Sequence, residues 1–131
     1  FLDLRSARQL EMETTGHASR GASSPPSPSP SNLVLAAGPI SPEEMIKEIG
    51  TGLYVTELMG MGVNGVTGDY SRGAGGFWIE NGEISYPVSE ITIAGNLNDM
   101  FKSMTPADDL ERKYGVDAPT IRIEGLTIAG S

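Results

Sequence analysis

The sequence contains no cysteine, one histidine and one tryptophan. Without cysteine there are no disulfides and no thiolate metal sites, as suits a reducing compartment. With a single imidazole, a Ser–His–Asp triad or a His-ligated metal would have to run through His17, and zinc needs at least three protein ligands. No H-E-x-x-H pair and no EF-hand loop is present. Bases are scarce as well: 9 Lys+Arg against 17 Asp+Glu leave a formal charge of −8 in 131 residues. That sign repels phosphate backbones and argues against direct nucleic-acid binding. Long hydrophobic runs are missing too, none approaching the roughly 20 residues of a membrane span. What remains is a globular composition, 38% apolar and 20% charged, of a size for one domain.

The chain opens on Phe1-Leu2-Asp3-Leu4 without an initiator methionine, and is expected to be the C-terminal part of a longer protein. Residues 1–22 are too short in period to choose between a strand and a helical turn. Ser23 to Ser31 reads Ser-Ser-Pro-Pro-Ser-Pro-Ser-Pro-Ser. Proline removes backbone donors and serine adds no apolar surface, so a solvated, flexible loop outside any ladder is expected. Charge divides nearby: residues 1–38 hold three acids and three bases, so the whole −8 lies in 39–131.

Beyond the loop, 32–35 reads as a short strand. Ser41-Pro42-Glu43-Glu44 predicts a helix start, with Ser41 capping, Pro42 in the first turn and Glu44 closing a capping box. Met45, Ile46 and Ile49 form its apolar stripe and Gly50 stops it. A strand is expected over 53–58. Seven glycines in the 17 residues from Gly60 to Gly76 exclude a helix and suggest a loop.

Asn81-Gly82 predicts a two-residue type I′ hairpin, because both turn positions tolerate positive φ. That register sets Ile79 opposite Ile84, Glu80 opposite Glu83 and Phe77 opposite Tyr86. Pro87 should end the second strand or sit at an edge, with a further strand at 91–94. Asn96 then caps a helix carrying Leu97, Met100, Phe101 and Met104. A second helix is expected from Thr105-Pro106-Ala107-Asp108 to Tyr114. Two short strands close the chain around Gly125. The word Thr-Ile-Ala-Gly occurs at both 92–95 and 127–130, implying two similar strands.

Gly60-Met61-Gly62-Val63-Asn64-Gly65 matches the dinucleotide pattern G-x-G-x-x-G, with Glu80 placed like its acidic partner. The mechanism requires a helix opening at the third glycine, and more glycines follow instead. The sharper candidate is the group Asn64, Thr67, Gly68, Asp69, Tyr70, Ser71, Arg72 and Gly73. It combines polar side chains with accessible backbone, and would suit an extended peptide if a strand edge lies open beside it. Glu80 and Glu83 read as an exposed hairpin tip or, alternatively, as a cation site. Asp108, Asp109 and Glu111 read as a solvated acidic face.

Several words taken together resemble the TldD/PmbA metallopeptidase family, in its C-terminal domain and on the PmbA (TldE) side. They are Ser6-Ala7-Arg8, Thr15-Gly16-His17-Ala18, Gly52-Leu53-Tyr54-Val55-Thr56-Glu57-Leu58, and Thr67-Gly68-Asp69-Tyr70-Ser71-Arg72-Gly73-Ala74. Gly76-Phe77-Trp78-Ile79-Glu80-Asn81-Gly82-Glu83-Ile84, Tyr86-Pro87-Val88 and the two Thr-Ile-Ala-Gly words complete the set. On this basis 1–22 is an N-terminal remnant of that domain, 23–31 the Ser/Pro loop and 32–131 the rest of the domain.

The resemblance implies a subunit of a cytoplasmic two-component peptidase acting on unfolded peptides. Its zinc would be held by a TldD-type partner through a helical His-Glu-x-x-x-His motif and a cysteine. Neither ligand set is visible here; the cysteine's segment reads Lys113-Tyr114-Gly115-Val116-Asp117. No metal ligand and no catalytic residue are therefore expected in this chain, and no nucleic acid or membrane among its partners.

The expected fold is α+β: a largely antiparallel, curved sheet with two or three short helices. Two other functions stay open: a self-sufficient metal hydrolase using Glu80/Glu83 or Asp69, and a non-enzymatic binding module of the kind that modulates a topoisomerase.

Overall fold

The computed structural model describes residues 1–130; the last residue of the 32–131 segment lies outside them. The chain forms two compact units, one of residues 1–35 with 112–117, the other of 36–111 with 118–131.

In the first unit, helix α1 (Leu4–Gln9) begins where the Asp3 carboxylate accepts the Ser6 N–H at 2.7 Å. Strand β1 (Ala18–Ser19) pairs antiparallel with β2 (Ser27–Pro28). The Ser/Pro tract therefore does join a ladder, contrary to expectation. A two-strand pair needs few donors, and proline can still offer its carbonyl at an edge. Strand β3 (Leu33–Val34) runs parallel to a strand supplied by residues 116–117. The carboxylate beside it, Asp117, is buried and accepts the N–H groups of Lys113, Tyr114 and Gly115 at 2.9–3.2 Å. Those bonds, that from Tyr114 first, hold its pKa below the ordinary carboxylate value.

The second unit opens with α2 (Pro42–Ile49), where both halves of the Ser41–Glu44 capping box are formed. Gly50, at φ +67°, follows it. Strands β4 (Gly52–Met59), β5 (Asp69–Glu80) and β6 (Glu83–Asn96) come next, then α3 (Leu97–Ser103) with Asn96 as its cap. The remaining strands are β7 (Thr105–Pro106), β8 (Val116–Asp117, the partner of β3 in the first unit), β9 (Ile121–Arg122) and β10 (Thr127–Ala129). The main sheet is antiparallel, in the order β10-β6-β5-β4. β7 pairs antiparallel with β9. Three short helices and mostly antiparallel pairing make the fold α+β, as expected.

The hairpin turns at Asn81 and Gly82, both at positive φ, and Ile79–Ile84 and Glu80–Glu83 pair in the expected register. Phe77 departs from expectation by facing Pro87 rather than Tyr86. Between Ile84 and Pro87 the strand β6 carries one residue more than β5, and a second extra residue precedes Ile91, near Glu90 at φ +56°. Two bulges let β6 run unbroken through Pro87, where it pairs on one side only. The two Thr-Ile-Ala words pair with each other: Thr127 with Ala94, Ile128 with Ile93, Ala129 with Thr92.

Two further expectations fail. The glycine-rich stretch is a loop only to Gly68; from Asp69 it is the central strand, with Ala74, Gly75 and Gly76 buried. Residues 105–114 form no helix. Thr105–Pro106 enter a ladder, Ala107 is fully buried and bridges Ile40, and Asp109 accepts the Thr120 N–H and hydroxyl at 2.8 and 2.7 Å. Those pairings supply the partners a helix would otherwise give. Asp109 is an acceptor with its pKa lowered chiefly by the Thr120 hydroxyl, and it stays exposed with Asp108 and Glu111 on the acidic face expected there. The core of this unit is Ala74, Ile91 and Ile93, with Leu53, Tyr70 and Val88 packed against them.

Candidate functional site

The glycine loop folds into a pinned turn. Asn64 Oδ1 accepts the N–H groups of Val66 and Thr67, and the Gly68 N–H returns to the Asn64 carbonyl at 2.8 Å. The Thr67 hydroxyl donates to the Asp69 carboxylate at 2.6 Å. Gly68 sits at φ +82°, with its carbonyl accepting the Leu97 N–H at 2.7 Å. Asn96 joins turn to helix: its Nδ2 donates to the Thr67 carbonyl, and its Oδ1 accepts the Asn98 N–H. Asn64, Thr67, Gly68 and Asp69 therefore direct their polar groups inward, into the turn itself.

Tyr70, Ser71, Arg72 and Gly73 continue as strand β5. Tyr70 bridges Val63, and the Ser71 N–H donates to the Gly62 carbonyl at 2.7 Å. The main-chain edge of β5 beside the loop is thus paired with residues 62–64 of the same chain, so no further strand can pair with it there. Among the described residues β4 pairs with β5 alone. Sequence reasoning missed two residues at the turn, Met61 and Val66, both almost fully exposed. Their signal was present as single apolar residues set among glycine and asparagine.

Over one face of the sheet, between its strands, α2 and residues 120–126, lies a largely apolar groove of about 660 Å³ within this unit. Leu53, Val55 and Leu58 of β4 line it with Tyr70, Ile93 and Ile128. Arg122 on its wall bonds Glu48 at 2.6 Å and lies 3.5 Å from Glu124. Arg72 is placed otherwise. Its Nη2 donates to the Leu58 carbonyl at 3.4 Å, its Nε is buried without a hydrogen-bond partner, and no carboxylate among the described residues forms an ion pair with it.

Glu80 and Glu83 face each other, exposed, at the hairpin tip. His17 Nδ1 lies 2.9 Å from the Thr15 hydroxyl, and its ring meets the Phe1 ring edge-on at 4.9 Å. Among the described residues no group of three or more His, Cys, Asp or Glu could hold a metal ion, so the donor set does not fit a zinc centre.

A family model, the PmbA/TldA metallopeptidase C-terminal domain, matches residues 1–130. The chain belongs to this family. It is 50% identical over 126 residues to the metalloprotease PmbA of Escherichia coli O157:H7, covering 95% of this chain and 26% of that protein. A PmbA homologue of Haemophilus influenzae is 46% identical over 127 residues, covering 96% of this chain and 26% of that one. The crystal structure of TldE from Thermococcus kodakarensis superposes with a TM-score of 0.81 at 27% identity, over 98% of this chain and 30% of that one. This member of the PmbA/TldA family thus spans about a quarter of the length of the curated relatives it matches. No helix among its described residues is long and apolar enough to cross a membrane.

Proposed function

We propose that this chain is the C-terminal domain of a PmbA-type subunit in a cytoplasmic, two-component metallopeptidase that processes unfolded peptides. The observation that carries the reading is the match of residues 1–130 to the metallopeptidase C-terminal domain, with 50% identity to a metalloprotease PmbA. On this reading a TldD-type partner holds the zinc, and this subunit completes the chamber and helps to hold the peptide.

The turn and the start of β5, with Asn64, Thr67, Gly68, Asp69, Tyr70, Ser71, Arg72 and Gly73, form the surface for partner or peptide. Support comes from the internal bonds that stiffen the turn while leaving Met61, Val66 and Ser71 exposed. A surface already ordered loses less entropy on binding than a floppy one.

The test is reconstitution of the full-length protein with a TldD-type subunit and an unstructured peptide. Cleavage is expected from the pair and not from either protein alone. In the pair, Gly73→Val is expected to lower the rate by placing a side chain on the proposed surface, where a Cβ meets Met59 at van der Waals distance. Cleavage by this protein alone would overturn the proposal.

A further inference from the structure

We infer that Asn96 is a positioning residue, whose side-chain amide holds the turn over residues 62–69 in the shape that meets the TldD-type subunit. The inference rests on the proposed pairing and adds the residue that prepares this surface for it.

Three observations converge. First, Asn96 works in two directions with two different atoms. Its Oδ1 accepts the Asn98 N–H at 3.0 Å and caps α3. Its Nδ2 donates to the Thr67 carbonyl at 3.1 Å and lies 3.5 Å from Asp69 Oδ1. Second, among the described residues no other side chain from outside 62–69 hydrogen-bonds into the turn. The fit is close, since a Cβ on Gly68 would lie 3.0 Å from Asn96 Oδ1. Third, the sheet ends just short of the turn. Asp69 and Asn96 form the last pair between β5 and β6, and the Gly68 carbonyl accepts the Leu97 N–H. Thr67 lies beyond that ladder, and the Asn96 amide reaches it there.

A capping oxygen alone would start α3, and serine or aspartate supplies one as well as asparagine does. The Nδ2 donor is needed by the turn and not by the helix. As for what the turn meets, the main-chain edge of β5 beside it is already paired with residues 62–64. The turn therefore offers side chains and a fixed shape rather than a ladder. That suits a folded surface, whereas an extended peptide adds to a sheet edge. A turn held in advance also gives up less entropy when two subunits meet.

The test uses the full-length protein and a TldD-type subunit. Asn96→Ser and Asn96→Asp both keep a capping oxygen and lose the amide donor, and the aspartate also sets a carboxylate against the Thr67 carbonyl and Asp69. Both variants are expected to exchange the Thr67 and Gly68 amide hydrogens faster, with Tm close to that of the unaltered protein. The Kd for the TldD-type subunit should rise about threefold to tenfold, the range that one intramolecular hydrogen bond spans. Peptide cleavage by the pair should return to the unaltered rate when the TldD-type subunit is saturating, which a general loss of structure would not allow. Unchanged exchange in the turn overturns the inference. So does a drop in Tm as large as that of Asn96→Ala, which loses both atoms, because overall stability then accounts for the effect. Pairing by the unaltered protein that both variants leave unchanged overturns the inference alone. No pairing by the unaltered protein overturns the two-component reading and the inference with it.

Discussion

Gly76→Ala is expected to destabilise the full-length protein by about 3 kcal/mol or more, the upper range for forcing extra atoms into a packed interior. Gly76 is buried in the central strand opposite Val55, where β4 carries an extra residue, Thr56. A Cβ on Gly76 would collide with the Tyr54 carbonyl oxygen, a backbone atom with no rotamer to escape into. The sheet must part or the bulge must shift. Gly65→Ala provides the contrast, because a Cβ there meets nothing within 4 Å. That change is expected to stay within about 0.5 kcal/mol, the ordinary range for surface positions. Denaturant midpoints of the two variants make the comparison; equal midpoints would show that the tight β4–β5 approach at Gly76 does not exist.

Ile79→Ala is expected to cost about 2–5 kcal/mol, the range for truncating a fully buried aliphatic side chain. Ile79 is 1% exposed, whereas Ile84, its directly opposed partner, is 48% exposed. Ile84→Ala is accordingly expected to cost about half as much or less, since nearly half of its surface stays in water in the folded protein. Both isoleucines lie on one apolar face by sequence pattern, so the pattern alone predicts equal losses. Thermal unfolding of the two variants side by side separates the accounts, and equal drops in Tm would contradict the burial described here.

The same pair shows what was legible in the sequence and what was not. Asn81-Gly82 announced the hairpin because two adjacent positive φ angles favour those residues, and Ser41 with Glu44 announced α2 because capping is a local interaction. The repeated Thr-Ile-Ala words were legible as strands, but their pairing with one another was not, since register is set by distant partners. Bulges in β6 were also hidden: Pro87 and Glu90 look like breaks until a neighbouring strand holds the chain extended through them.

The glycines misled for a physical reason. In isolation they favour loops, yet in β5 their lack of side chains lets β4 approach closely, at Tyr54, Glu57 and Met59. The acidic segment misled in the opposite direction, because Asp109 and Asp117 satisfy distant or looped backbone donors rather than starting a helix. Of the candidate site, the polar residues of the turn were found from composition. The apolar tip at Met61 and Val66 and the unpaired Arg72 required coordinates.

The most direct test of the central claim is metal analysis of the full-length protein, purified in the absence of any TldD-type subunit and equilibrated with zinc. The account predicts far less than one zinc per chain after gel filtration. One tightly held equivalent, coordinated by this polypeptide alone, would contradict it.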